Sequence, residues 1–256
     1  MLLGAAAWPH RALVKGNVIA LLDLPFDRQA GSSPSTPVEA RLVAHAGGAV
    51  RGLAYTNSRE ALDGHYASGY RVFELDFHWT SDGRLVAVHD WAEISAQFGA
   101  RPHVFSYEEY VAAGRRDGLH QLTFEDVREW LRGHRDAFVV TDTKADNLRL
   151  LRYLEADGGD IRRQVIVQIY RMRELEGARR AGPRAVWLSV YKYSIPAWEL
   201  SRISGVDGFV IPVDAYDRYR DQTLMRRARF YVHSAPAESV DETFRELPGI
   251  YGIYVD

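Results

Sequence analysis

The sequence predicts an α/β fold of the (β/α)8 TIM-barrel type, with an insertion after the second strand. Three observations carry that expectation. Eight short β-rich runs recur along the chain, and longer amphipathic stretches separate them, as βα units in a closed parallel barrel require. The length of 256 residues suits one such unit as a single domain. The even strand count favours closure over an open doubly wound sheet, and the Gly-rich fingerprint of such a sheet is missing.

Taken in order, the chain opens with an N-terminal arm and linker, residues 1–37, before a barrel over 38–256. The boundary is Ala-Gly-Ser-Ser-Pro-Ser-Thr-Pro at 30–37, the clearest linker composition in the sequence. The eight runs are Leu42–His45, Val72–Phe77, Ala137–Asp142, Val165–Ile169, Val186–Val190, Gly208–Pro212, Phe230–His233 and Ile250–Val255. Helix starts are legible between them. Asn57-Ser58-Arg59-Glu60 precedes Ala61, Leu62 and Tyr66, while Thr123 precedes Phe124, Val127, Trp130 and Leu131 at helical spacing. Leu148, Leu151 and Leu154 mark a further apolar stripe. About sixty residues separate Phe77 from Ala137, too many for one βα connection. Thr80–Arg84 reads as a turn and leads to a short strand ending at His89. Trp91–Gln121, with Phe98, His103, Phe105, Tyr107 and Tyr110, then reads as an insertion at the barrel mouth.

Composition excludes several classes of function. Hydrophobic residues at 46% and charged residues at 26% describe an ordinary soluble globular protein. A net charge of −2 gives no basic excess for nucleic acid. The absence of Cys excludes disulfides, a thiolate nucleophile and a sulfur-based zinc site. The apolar start Met-Leu-Leu-Gly-Ala-Ala-Ala-Trp has no basic residue before it and makes a poor secretory signal. Val18–Leu24 is broken by Asp23 and is too short to span a bilayer. The expectation is a protein without a transmembrane segment, with the cytoplasm favoured; the sequence does not speak to oligomeric state.

Four polar groups fall at or just past the ends of early strands, where barrel active sites are built: His45, Glu74, Asp76 and His89. Strand periodicity puts Glu74 and Asp76 on one face, toward the barrel axis, and Phe73, Leu75 and Phe77 on the other, toward helices. Two carboxylates in one cavity repel unless positive charge lies between them. A hard divalent cation bound through oxygen satisfies that requirement. Asp142 is a candidate third ligand, and Lys144 a candidate contact for an anionic substrate oxygen. Two histidines beside such a site suit acid–base work near neutral pH. Each feature alone also has a plain structural reading: a solvent-facing edge for Glu-x-Asp, a structural His, an internal Asp142–Lys144 ion pair. His65, His78, His103, His120, His134 and His233 read as structural or surface groups, with His78 and His103 near enough to line the mouth.

Together the segments resemble the glycerophosphodiester phosphodiesterase family. His45-Ala46-Gly47-Gly48 and Tyr55–Leu62 are similar to its His-Arg-Gly and Glu-Asn-Thr motifs. Phe73–Asp76, Thr80–Gly83 and Val88-His89-Asp90 are similar to its Glu-x-Asp, Thr-x-Asp-Gly and His-Asp motifs, and Thr141–Lys144 sits where the family has Glu-x-Lys. The resemblance is strongest over 42–90. It implies His45 and His89 as general acid and base and one divalent cation, Ca2+ or Mg2+, on Glu74, Asp76 and Asp142. It further implies Lys144 on the phosphate, Asn57 beside the metal, and a small-molecule phosphodiester as substrate. A substrate hydroxyl next to the phosphate can serve as nucleophile, giving a cyclic phosphate that water opens.

Three departures bear on the substrate. Ala46 stands where the family has Arg, removing a charge-assisted bond worth about 1.5–3 kcal/mol; Arg51 and Lys192 are candidate replacements. Thr56 replaces a Glu, and Asp142 is one methylene shorter than the family's Glu. The leading expectation is metal-dependent hydrolysis of a glycerol- or polyol-linked phosphodiester. One rival is a phospholipase D-like lyase that leaves a cyclic phosphate and needs an apolar entrance. The other is a barrel that binds a phosphorylated ligand without turnover, against which the retained His45, His89, Glu74 and Asp76 argue.

Overall fold

The computed structural model describes residues 41–114, 118–143, 145–190 and 195–256. The arm and linker of 1–37, Lys144 and Lys192 lie outside the described residues. The strands are β1 Leu42–Ala44, β2 Val72–Trp79, β3 Leu85–Ala87, β4 Leu122–Thr123, β5 Phe138–Thr143, β6 Val165–Ile169, β7 Ala185–Ser189, β8 Gly208–Pro212, β9 Phe230–Ala235 and β10 Gly252–Val255. Eight of them close a parallel ring in the order β1-β2-β5-β6-β7-β8-β9-β10, with β10 returning to β1. This is the (β/α)8 barrel, and its eight staves are the eight runs read from the sequence, shifted at most two residues at an end. Strand β3 pairs antiparallel with the end of β2, and β4 with β3, so the extra strands hang off the barrel at the insertion.

Two apolar clusters follow from strand alternation. Inward residues Val43, Val72, Val140, Ile166, Trp187, Val210, Tyr231 and Tyr254 fill the lower barrel, with Trp187 and Tyr231 stacked at 4.0 Å. Outward residues Phe73, Leu75, Phe77, Val139, Val167 and Leu188 pack on Leu62, Phe124, Trp130 and Leu151 of the surrounding helices. Between the strands run α1 Arg59–Ala67, α2 Trp91–Gln97, α3 Tyr107–Ala113, α4 Phe124–Gly133, α5 Asn147–Asp157, α6 Leu175–Ala181, α7 Ala197–Leu200, α8 Tyr216–Tyr219, α9 Gln222–Arg227 and α10 Val240–Glu246. Helix α4 starts on a full capping box of Thr123 and Asp126. Helix α1 is capped by Ser58, whose side chain accepts from the Ala61 amide, leaving Asn57 to face the barrel. In α5 the inward residues are Leu150, Leu151 and Leu154, and Leu148 is exposed, contrary to the stripe expected from the sequence.

The insertion has a small core of its own, Val86, Val88, Trp91, Ile94, Phe105 and Tyr110. The Tyr110 hydroxyl donates to the Ala87 and Leu122 carbonyls at 2.8 and 3.2 Å, tying α3 to both hairpin strands. Asp82, in the turn after β2, accepts from Thr80 Oγ1 at 2.6 Å and from the Tyr107 amide at 2.9 Å, which fixes where α3 begins. Among the described residues no helix is long and apolar enough to cross a membrane.

Ring closure depends on a close approach at Gly252. A Cβ there would lie 2.7 Å from the Arg41 carbonyl oxygen and 2.8 Å from the Tyr231 ring. Backbone on one side and a buried ring on the other leave little room to yield. Gly252→Ala is therefore expected to destabilise the fold by about 1–3 kcal/mol in urea unfolding; an unchanged midpoint would mean the β1–β10 seam relaxes freely.

Candidate active site at the barrel mouth

The inward-facing positions change from apolar to polar as each strand approaches its C-terminal end. Val72 is followed two and four residues on by Glu74 and Asp76, Val140 by Asp142, and Ile166 by Gln168 and Tyr170. Likewise Val43 is followed by His45, Tyr231 by His233 and Tyr254 by Asp256. The polar groups thus form a layer on top of a packed apolar plug.

Register brings the carboxylates together. Strand β2 pairs with β5 so that Asp76 lies beside Asp142 and Glu74 beside Val140. One ligand oxygen from each of Glu74, Asp76 and Asp142 lies within 4.8 Å of the others, and all three residues are buried. Neighbours orient them. Glu74 Oε2 accepts from the Ala46 amide at 2.9 Å, Asp76 Oδ2 from Asn57 Nδ2 at 2.9 Å, and Asp142 Oδ1 from the Tyr170 hydroxyl. Asn57 Oδ1 in turn accepts from the Asp76 amide at 2.9 Å, a two-point clamp on that residue. Three buried carboxylates this close repel one another unless positive charge lies among them. Their all-oxygen donor set fits a hard divalent cation.

His45 lies against this cluster, in a 3-10 turn directly after β1, its Nε2 3.8 Å from Glu74 Oε2. Its Nδ1 is 2.5 Å from Asp256 Oδ1, and Asp256 Oδ2 accepts from Ser234 Oγ at 3.0 Å. Burial pushes the Asp256 carboxyl up, but the His45 hydrogen bond and charge, the Ser234 bond and the His233 charge outweigh it. The net result lies below the usual carboxylate range. An ionised Asp256 can only accept, so His45 carries its proton on Nδ1 and, in the neutral ring, presents a basic Nε2. That nitrogen is 3.0 Å from His233 Nε2.

His89 approaches from the insertion side, between β3 and α2. It is one-third exposed, with Nδ1 3.2 Å from Glu93 Oε2. The Tyr55 ring stands between the two histidines, its centroid 4.9 Å from His45 and 5.1 Å from His89. Ala46 is wholly buried and contributes its backbone amide to Glu74, so no side-chain cation follows His45. Arg51 sits exposed in the tight turn closed by Val50 and Leu53. Of the residues picked from the sequence, the structure gathers His45, Asn57, Glu74, Asp76 and Asp142 into one buried cluster and sets His89 at its rim. Lys144 and Lys192 lie outside the described residues.

Three groups in contact with this cluster were not among the candidates: His233, read as structural or surface, and Asp256 and Tyr170. Counting on by two from an inward apolar residue reaches each of them.

No known family profile and no curated protein sequence matches the chain. Solved structures do. A glycerophosphodiester phosphodiesterase from Parabacteroides distasonis aligns with TM-score 0.66 and 16% identity over 85% of this chain and 93% of that one. One from Thermotoga maritima aligns with TM-score 0.65 and 18% identity over 84% and 93%. A phosphodiesterase from Oleispira antarctica, in complex with the product sn-glycerol-3-phosphate, aligns with TM-score 0.66 and 16% identity over 84% and 92%. At these identities the likeness establishes the shared barrel fold.

The lowered Asp256 carboxyl has a signed consequence. Its contribution to stability is complete above the ordinary carboxylate value and is lost as pH falls through the lower folded value. The stability difference between wild type and Asp256→Asn should therefore shrink as pH falls below about 5. A difference that grows toward low pH in chemical denaturation would contradict the ionised Asp256–His45 pair.

Proposed function

We propose that the chain is a phosphoric diester hydrolase of the glycerophosphodiester phosphodiesterase type, acting on a glycerol- or polyol-linked phosphodiester. The observation that carries this reading is a basic His45 nitrogen, backed by Asp256, set 3.8 Å from a buried trio of carboxylates. The shared fold with solved phosphodiesterases supports it. Glu74, Asp76 and Asp142 would hold Ca2+ or Mg2+. A cation there supplies polarisation of a phosphoryl oxygen and offsets the charge that gathers on it.

The chain's own residues then divide the proton work. A hydroxyl oxygen, from the substrate or from water, forms the new bond to phosphorus, and its proton passes to His45 Nε2. Asp256 holds the ring in the tautomer that can accept it and stabilises the resulting imidazolium. The bond from phosphorus to the departing alkoxide breaks, and His89 at the rim gives that oxygen a proton. Where the nucleophile is a neighbouring substrate hydroxyl, the cyclic product is opened by water with the two histidines in reversed roles. His233 shares a hydrogen bond with His45 Nε2 and so steers the ring between turnovers.

A second reading, a lyase acting on a lysophospholipid, is favoured by one specific observation. The exposed large apolar residues Leu53, Tyr55, Trp198 and Val213 belong to segments that follow the C-terminal ends of the barrel strands β1, β7 and β8, the mouth side of the barrel. Product analysis separates the two, because a lyase leaves the cyclic phosphate intact.

On a chromogenic phosphodiester, His45→Ala and His89→Ala should each lower kcat by roughly 10²- to 10⁴-fold, and Asp76→Asn or a chelator should abolish turnover. Full activity in chelator would remove the metal from the scheme. His233→Ala should lower kcat with KM little changed, and His233→Gln should recover part of the loss; a pure rise in KM would make His233 a substrate contact instead.

A further inference from the structure

The end of the barrel opposite the mouth carries a different chemistry. Two adjoining clefts of about 320 and 670 Å3 open there and share Arg135 and Gln164 in their walls. They are formed by the C-terminal half of α4, the segment before β5, the 3-10 turn before β6 and the α6–β7 loop. Each of these precedes a strand, whereas Asp142 and Tyr170 lie at the far ends of β5 and β6. The clefts are therefore separate from the candidate active site.

Their walls hold Arg128, Arg132, Arg135, Arg163 and Arg184 and, among the described residues, no carboxylate. Elsewhere arginines are commonly matched: Arg59 with Asp63, Arg71 with Asp136, Arg84 with Glu125 and Arg180 with Glu155 and Glu176. In the clefts Arg128 alone has such a match, Asp157 at 3.0 Å. Among the described residues Arg132, Arg135, Arg163 and Arg184 have no carboxylate within ion-pair distance.

The floor is rigid. Buried Gln164 donates to the carbonyls of Leu131, His134 and Ala137 at 3.0, 2.8 and 3.0 Å, locking the end of α4 to the starts of β5 and β6. Arg184 follows Pro183, donates its amide to the Val165 carbonyl at 2.8 Å and lies over the Phe138 ring. Guanidinium groups that line one cleft repel one another, and planar N–H forks match phosphoryl oxygens two at a time. The combined volume exceeds what a single phosphate needs.

We propose that these clefts form a second anion site, one that takes clustered phosphoryl groups through Arg132, Arg135, Arg163 and Arg184. A soluble polyphosphate and the headgroups of an anionic lipid surface present the same chemistry, so the test has an arm for each. Titration calorimetry with sodium tripolyphosphate and co-sedimentation with vesicles of phosphatidylglycerol in phosphatidylcholine would be run on the full chain. The same measurements would be made on Arg132→Gln/Arg135→Gln/Arg163→Gln and on Arg135→Gln alone, all exposed positions. Asp76→Asn reports any binding at the mouth.

The expected result is binding that weakens at least tenfold in the triple variant, weakens partly in Arg135→Gln, falls with added salt and is unaffected by Asp76→Asn. Phosphodiesterase activity should be unchanged by the arginine variants. Calorimetric binding identifies a soluble polyphosphate, and sedimentation without it identifies a lipid surface. No binding of either probe to the wild type, binding indifferent to the three substitutions, or binding lost in Asp76→Asn would each overturn the site. Failure of the phosphodiesterase reading alone would leave these outcomes untouched.

Discussion

A closed ring of parallel strands imposes one constraint on everything else in this molecule: alternate residues of every stave must face the axis. Below, those positions are Val43, Val72, Val140, Ile166, Val210, Tyr231 and Tyr254, which exclude water from the ring. Above them the same count yields His45, Glu74, Asp76, Asp142, His233 and Asp256. Slipping β2 by one residue would turn Phe73, Leu75 and Phe77 inward and both carboxylates onto the helices. Fold and site are therefore specified by a single parity, and the apolar layer that stabilises the barrel is also the dry floor of the site.

That dry floor is why charge dominates the mouth. In a low-dielectric setting, three carboxylates within 4.8 Å set strict terms on their neighbours. Asn57 and the Ala46 amide serve as neutral donors that fix the oxygens without cancelling their charge. His45 is the nearest basic group, and Asp256 behind it fixes the orientation of its ring. Strand-borne groups thus form a preorganised half of the site. His89 belongs to the other half, carried on the insertion, exposed and separated from His45 by the Tyr55 ring.

The strands were legible because each apolar run is short and bounded, and Glu74, Asp76 and Asp142 were legible because alternation within one strand gives direction. What alternation within a strand does not give is company. Asp256 and His45 are 211 residues apart and meet only because β10 returns to β1. His233 is brought to His45 in the same way, by β9 lying next to β10. The misphased stripe of α5 has a local cause. Buried Asn147 donates to the Gln168 carbonyl and to Glu174 Oε2, at 3.2 and 3.1 Å, and so sets the helix rotation. With 147 inward, helical spacing selects 150, 151 and 154, and Leu148 turns to solvent. A polar anchor decided a phase that the leucines alone left open.

The net charge of −2 is a poor summary of such a molecule, because the barrel separates its charges along the axis. At the C-terminal ends of the strands, inward carboxylates gather where the chain leaves each stave. At the N-terminal ends, Arg41, Arg71, Arg163, Arg184 and Arg229 each stand within two residues of a strand start. Some of these are absorbed locally, as Arg71 is by Asp136 and Arg41 by the Phe244 ring and the Tyr251 carbonyl. Those between β5 and β7 have no carboxylate partner among the described residues, and there the guanidiniums line the two clefts. A near-neutral total charge thus leaves room for anion recognition at one end and cation binding at the other. The same strands, entered from opposite ends, present both.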